Sequence, residues 1–294
     1  MPAATLFPLV SAFVYTVAAL LFKRSSDLGA GLWRTTFVAN LICALLFSML
    51  WLEGGPAPDP ARLWQPGLIA ACLFLGQLSQ FFALERGDVS VAVPVFGLKV
   101  VIVAFLTPLF TGQPVSSSLW MGALLSTIGI VLLNRQDVDK RPRGLAVTII
   151  GGTVGAICFA IFDLLVQRWG PEWGPGRLLP AIFWINAFLS LGLIQRFSAP
   201  LHELPRGTWP WLLGGCVLLA AQSILFVRTI ALHGQATSAN ILYSSRGLMS
   251  VLFVWLAGHW FVNHERHLGA RVMRWRLLGA SLMLGSIVLV LTSR

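Results

Sequence analysis

Apolar stretches of about twenty residues recur from one end of this chain to the other, and they constrain its fold more than any other feature. A helix needs about twenty apolar residues to cross roughly 30 Å of hydrocarbon. The chain is 56% hydrophobic and only 11% charged, with a mean hydropathy of +0.79, whereas a soluble domain carries about 25% charged residues. The sequence therefore predicts an all-α integral membrane protein surrounded by lipid.

The apolar stretches divide into ten predicted transmembrane helices. Charged residues and Pro/Gly clusters, which interrupt helices, separate one apolar stretch from the next. The predicted spans are 4–22, 31–51, 66–85, 90–111, 117–134, 144–167, 177–196, 209–231, 236–261 and 275–292. An even number of spans puts both termini on the same side of the membrane.

The chain also repeats itself. The segments 83–101 and 231–249 resemble each other, and when Gly87 is aligned with Gly234, Lys99 falls on Arg246 with no gap between the two positions. The similarity predicts two halves, 1–140 and 141–294, of five helices each. Because five is odd, the second half enters the membrane in the opposite orientation, which gives an inverted repeat. Secondary transporters built in this way bind substrate between their repeats, near the bilayer midplane.

The net charge of +10 does not indicate nucleic acid, because most Lys and Arg residues fall in short connections between the apolar runs. Membrane proteins place cations there to set their orientation. The bias toward the connections after spans 1, 3, 5, 7 and 9 predicts termini outside the cell. The four cysteines lack the spacing of a zinc site or a disulfide framework,. We expect no metal and no cofactor.

Several short motifs carry a resemblance to a known family. They are the Lys23-Arg24 pair, Leu32-Trp33-Arg34, the Ala83-Leu84-x-x-Gly87 turn, and two glycine-rich spans, the fifth and tenth. Together with the repeat, they make the chain resemble the EamA-type ten-helix permeases of the drug/metabolite transporter superfamily. The family's Gly-Glu-Arg-like segment departs from its pattern here, as Gly112-Gln113-Pro114 and Glu265-Arg266. The resemblance implies secondary transport of a small metabolite or drug, and termini in the cytoplasm, against the charge bias.

Two cations lie deep within predicted spans. Lys99 is about ten residues into span 4, and Arg246 has the matching depth in span 9. A charged side chain at this depth costs at least about 2.5 to 3.5 kcal/mol, so it faces a cavity or has a partner. The pair would attract an anion, and the arginine fork suits carboxylate or phosphate. The alternative is that each cation pairs with a helical carbonyl, with Glu85 or with Asp163.

Three further charged residues are candidates for coupling or charge pairing. Asp163, near the end of span 6, could couple proton movement to transport, or be neutralised by a nearby cation, Lys23 or Arg168. Arg228 is about one turn from the end of span 8, so it could line the cavity or extend to the interface. Glu85 is expected at the interface.

Uncharged polar residues complete the predicted substrate site: Tyr15, Gln77, Gln80, Gln222, Tyr243 and Ser245. Polar side chains also bond helices to one another, which is the interpretation favoured for Asn40 and Asn186. Pro94 removes a backbone hydrogen bond in span 4 and predicts a kink, and hence a gate, beside Lys99.

The sequence favours a carrier over two alternatives. A channel would show rings of charge or a filter. A membrane-embedded enzyme would show a catalytic constellation, and no HExxH, GxSxG or P-loop motif occurs,. We therefore expect a multi-pass protein of the cell membrane that moves an amino acid, organic acid, other anionic or zwitterionic compound, or drug by alternating access. Its partners would be the substrate, membrane lipid, and a coupled proton or counter-substrate. The oligomeric state stays open.

Overall fold

The computed structural model describes residues 3–57, 59–86, 89–134, 144–250 and 270–292, and helices dominate these ranges. The helices, labelled in chain order, are α1 Ala3–Asp27, α2 Leu32–Phe47, α3 Trp64–Arg86, α4 Val89–Gly97, α5 Lys99–Thr111, α6 Ser117–Leu133, α7 Leu145–Trp173, α8 Pro175–Leu189, α9 Trp209–His233, α10 Ala236–Tyr243 and α11 Ala270–Thr292. Residues 246–250 form a further helical segment after α10.

The predicted membrane character is confirmed. Within the described ranges, eight helical segments are long and apolar enough to cross a membrane, and Ser117–Leu133 is a shorter apolar helix. The ninth predicted span, 236–261, extends into residues 251–269, which lie outside the described part. The total of ten spans therefore stays a prediction.

Three predicted spans contain irregularities that hydrophobic pattern alone does not reveal. The span predicted at 90–111 has a short helix break at Leu98, a single turn residue between α4 and α5 that keeps helical backbone angles and donates from its nitrogen to Val95 O at 3.1 Å. Gly97 precedes this break, and a Cβ there would lie 2.8 Å from Ile130 of α6, so only glycine allows the approach. The helices α2 and α8 tighten into 3-10 turns at Ser48 and Ser190, whose hydroxyls bond back to the preceding helical turn. Such back-bonding bends helices.

The first and second halves of the chain pack against each other through matched helix pairs. α1 packs on α9, α3 on α7, α2 on α8, and α6 on α11. α1 and α9 are antiparallel, since Ser11 contacts Gln222 and Phe22 contacts Gly215. α3 and α7 are antiparallel as well, since Gly76 contacts Phe159, while Gly151 contacts Ala83. The pairings of α1 with α9 and of α6 with α11 bring together residues that are far apart in the sequence.

Two glycines bring the backbones of α6 and α11 into contact. A Cβ on Gly279 would lie 2.8 Å from the carbonyl oxygen of Gly129 and 2.9 Å from the Leu133 nitrogen. Neither backbone atom can move without displacing its helix. Close approach of this kind is typical of membrane helix pairs with small residues at their interface.

We therefore expect Gly279→Leu to destabilise the protein strongly. Overpacking alone costs about 1 to 3 kcal/mol, and a clash with backbone adds to it. The measurement is size-exclusion chromatography of detergent-solubilised protein after heating. The matched control is Gly285→Leu on the same helix, where a Cβ would meet no described atom within 4 Å. Equal losses for both variants would contradict this view of the interface.

Candidate functional site

Lys99 and Arg246 occupy equivalent places beside breaks in two helices. Lys99 is the first residue of α5, immediately after the turn at Leu98. Arg246 is the first residue of the helical segment that follows the turn at Ser244 and Ser245. The helix breaks thus agree with the alignment that places Lys99 on Arg246. Broken helices at membrane depth are tolerated where they are buried in protein or line a cavity.

Lys99 is neutralised by a buried carboxylate. Its Nζ lies 2.7 Å from Oδ2 of Asp163, and the side chains are 20% and 1% exposed, respectively. Asn240 donates from Nδ2 to the same oxygen at 2.7 Å. The sequence left the partners of both residues open. In the structure Lys99 pairs with Asp163, and Asp163 is neutralised by Lys99 rather than by Lys23 or Arg168.

Arg246 has a different environment. Its guanidinium carbon lies 4.8 Å from the ring centre of Tyr15 and 4.7 Å from that of Tyr243. It also donates to the Tyr243 hydroxyl at 3.3 Å. Within the described part of the chain, Arg246 forms no ion pair with a carboxylate. Its charge is held by aromatic faces, which attract cations through their quadrupoles, and within the described ranges Tyr243 accepts from one of its five donors.

Aromatic rings connect the two cations into one cluster. The ring of Phe226 lies 4.5 Å from that of Tyr243. Lys99 Nζ lies 5.6 Å from the centre of the same Phe226 ring and 5.9 Å from that of Phe159. Helices α1, α5, α7, α9 and α10 all contribute side chains, so both halves of the chain build the cluster. We call it the central cluster: Tyr15, Lys99, Phe159, Asp163, Phe226, Asn240, Tyr243 and Arg246.

Two polar atoms beside these charges are buried and have no hydrogen-bond partner within the described ranges. They are Oδ1 of Asp163 and Oγ of Ser245. A buried polar atom left without a partner costs about 1 to 3 kcal/mol, so each such atom calls for an explanation. Asp163 offers an acceptor, and Ser245, the residue before Arg246 in the sequence, offers a hydroxyl. The cluster can therefore still bond an anion and a hydrogen-bond donor.

The predicted glutamines lie away from the charges or already have partners. Gln77 forms a reciprocal amide pair with Asn40, at 3.0 and 3.1 Å. Gln222 accepts from Ser11 at 3.1 Å and donates to the neighbouring Ser223 hydroxyl at 2.7 Å. These contacts match the interhelical role that the sequence left open. Gln80 is half-buried on α3, at the face that contacts Gly155 of α7.

The remaining predicted residues lie outside the central cluster. Arg228 pairs with Glu53 at 3.1 Å, and both side chains are more than a third exposed, which fits extension toward the interface. Glu85 is exposed and accepts from Trp33 at 3.5 Å. Pro94 is inside α4, which continues to Gly97, so the break beside Lys99 comes after Gly97 and not at the proline.

Sequence reasoning missed Asn240 and the two phenylalanines of the central cluster. Asn240 is a polar residue in an apolar span, three positions before Tyr243, and that spacing could have indicated a shared helix face. Phe159 and Phe226 are two of 19 phenylalanines. No signal in the sequence separates them from the others.

A surface cavity of about 500 Å³ lies beyond the central cluster, at the ends of α5, α7 and α9. Gln167 and Arg168 line it, one turn after Asp163. Two hydrogen bonds lie near this cavity. Ala236 N donates to Gln167 Oε1 at 2.9 Å, and the Thr107 and Thr237 hydroxyls are 2.9 Å apart. These hydrogen bonds link α10 to α7 and α5 at this end of the helices.

Comparison with known proteins identifies the family. The model of the EamA-like transporter family matches residues 2–135. The probable 4-amino-4-deoxy-L-arabinose-phosphoundecaprenol flippase subunit ArnE of Pseudomonas savastanoi pv. phaseolicola (strain 1448A / Race 6) is 32% identical over 104 residues, 35% of this chain and 76% of that protein. This chain belongs to the EamA-like transporter family.

Two further similarities agree with the membership. The subunit of the same name from Pseudomonas syringae pv. syringae (strain B728a) is 34% identical over 74 residues, which are 25% of this chain and 66% of that protein. A solved crystal structure superposes with a TM-score of 0.73 at 17% identity, over 99% of this chain and 96% of the other. That likeness concerns the fold alone. The resemblance to the drug/metabolite transporter superfamily is confirmed, and the EamA-like chain is a multi-pass membrane protein of a transporter family.

Proposed function

We propose that this chain is a secondary transporter that binds a small anionic or zwitterionic metabolite at the central cluster. The observation that carries the proposal is the contrast between its two cations. Lys99 is balanced by Asp163 at 2.7 Å, whereas Arg246 lies between two tyrosine rings with no carboxylate partner in the described part. A cation is costly at membrane depth, and an anionic substrate would supply the missing charge.

The polar atoms without partners extend the proposal to zwitterions. Oδ1 of Asp163 can accept from an amine or hydroxyl, and the hydroxyl of Ser245, next to Arg246 in the sequence, is a further polar group without a partner among the described residues. The ArnE relatives are named for a lipid-linked sugar that carries an amino group and a phosphate. At 32% identity this likeness supports transport in general, while the substrate class of this chain is our proposal.

The two halves, 1–140 and 141–294, are proposed to form an inverted repeat of five helices each. Matching the first with the sixth span and the third with the eighth makes the α1 and α9 pair the counterpart of the α7 and α3 pair, and both pairs are antiparallel. The pairs α2 with α8 and α6 with α11 then map onto themselves. The equivalent breaks before Lys99 and Arg246 also support the repeat.

Alternating access follows from such a repeat. On the side of the surface cavity, hydrogen bonds of Gln167 and Thr237 link α10 to α7 and α5, while Lys99 is 20% exposed. We infer that this state opens toward the opposite face. Because Asp163 is occupied by Lys99 and Asn240, exchange for a counter-substrate is favoured over proton coupling.

The proposal places the protein in the cell membrane, with both termini on the same side and no cofactor or enzymatic step. Uptake and counterflow into proteoliposomes test it. Purified protein would be loaded with unlabelled compound and given radiolabelled amino acids, organic acids, amino sugars or sugar phosphates. We expect saturable counterflow of at least one anionic or zwitterionic compound, and none in protein-free liposomes. Counterflow of neutral or cationic compounds alone would contradict the proposal.

A further inference from the structure

An amide pair joins α2 to α3 in the first half of the chain. Asn40 and Gln77 each donate to the other, at 3.1 and 3.0 Å. Such a reciprocal pair satisfies a donor and an acceptor on each side chain. It fixes the position of these two helices relative to each other.

Asn186 in α8 is the matching residue in the second half, and it has no such partner. It is fully buried, and neither its Oδ1 nor its Nδ2 has a hydrogen-bond partner within the described chain. Phe-x-x-Asn occurs at 37–40 in α2 and at 183–186 in α8. Each buried amide atom left unsatisfied costs about 1 to 3 kcal/mol. Such a residue in a stable fold calls for an explanation, and a second state in which Asn186 is paired would supply one.

Gln222 has the place in α9 that Gln77 has in α3 when the helices are counted from their starts, because each is the fourteenth residue from the tryptophan that begins its helix. Its amide is turned away, and it bonds with Ser11 at 3.1 Å and Ser223 at 2.7 Å. The two halves of the chain thus hold the same polar residues in different arrangements. One amide pair is formed, and the residues of the other are apart.

We propose that these two amide pairs exchange during the transport cycle. In the opposite-facing state, Asn186 pairs with Gln222, and Asn40 separates from Gln77. The inference rests on the inverted repeat and alternating access proposed above, because each half would then adopt the arrangement that the other half has here. One buried asparagine is unsatisfied in each state, so the energies of the two states stay close. A transporter requires such balance.

Cross-linking within single molecules tests the exchange without a substrate. In protein whose cysteines 43, 72, 158 and 216 are replaced by alanine, Asn40→Cys with Gln77→Cys forms one pair, and Asn186→Cys with Gln222→Cys forms the other. A short, reducible bifunctional thiosulfonate would be applied in proteoliposomes, and peptide mapping would read the links. We expect each pair to link, but the protein carrying all four substitutions should hold one link or the other and never both.

The matched control combines Asn40→Cys and Gln77→Cys with Ser48→Cys and Trp184→Cys. Ser48 and Trp184 share a hydrogen bond of 2.8 Å in the same structure, so doubly linked molecules should form. Doubly linked protein for the two amide pairs, or no link at all between positions 186 and 222, would overturn the exchange. Counterflow by the cysteine-free parent is measured separately, so loss of the proposed transport activity would be seen independently of these links.

Discussion

Arg246→Ala is expected to reduce counterflow of anionic and zwitterionic substrates strongly while leaving the protein folded. Removing one member of a buried, hydrogen-bonded charge pair costs about 2 to 5 kcal/mol, and each 1.4 kcal/mol is a factor of ten. Transport efficiency should therefore fall by about 30-fold or more. Stability should change little, because Arg246 balances no carboxylate within the described chain and its main contacts are the rings of Tyr15 and Tyr243.

Two matched variants separate charge from geometry. Arg246→Lys keeps the charge but loses the planar fork that binds carboxylate or phosphate at two points, so it should retain part of the activity. Arg228→Gln removes a cation of the same type that already pairs with Glu53 at 3.1 Å, and it should exchange nearly normally. The measurement is the initial rate of counterflow against substrate concentration. Wild-type efficiency in Arg246→Ala would refute its role as the anion anchor.

The membrane fold could be predicted from the sequence because each span is a local property. Twenty apolar residues in a row must cover the hydrocarbon thickness, whatever they pack against. The alignment of Lys99 with Arg246 comes from the sequence alone, because it depends only on matching two segments without a gap, and the equivalence of the two residues stays a prediction. The helix breaks before these residues could not be predicted. Gly97 allows a break without requiring one, and only the close approach of Ile130 of α6 makes glycine necessary at this position.

The partners of the charged residues could not be predicted, because they depend on which helices meet. Lys99 had Glu85 and Asp163 as candidate partners, and the packing of α5 on α7 brings Asp163 within 2.7 Å. The two cations are therefore not equal: Lys99 forms a neutral pair with Asp163, and Arg246 has no carboxylate partner among the described residues. The glutamines show the same limit, since only the contact of α2 with α3 reveals that Gln77 is occupied by Asn40.

Lys99→Met should lower stability far more than Arg246→Ala does. Asp163 is 1% exposed, and removal of its cation leaves an uncompensated buried charge that costs about 3 to 5 kcal/mol. The double variant Lys99→Met with Asp163→Asn removes both charges, and the new amide can still accept from Asn240. We expect the apparent melting temperature in detergent to fall by about 10 °C in the single variant and to recover mostly in the double one.

The double variant also distinguishes the two roles that Lys99 could have in transport. If Lys99 serves to neutralise Asp163, the stable double variant should still bind anions at Arg246, and its KM for a purely anionic substrate should stay within a few-fold of wild type. Zwitterions should lose more, because the acceptor at Asp163 Oδ1 is gone. If Lys99 instead contacts the anion directly, the double variant should be stable and yet fail with both classes of substrate, and Arg246 would not be the sole anchor.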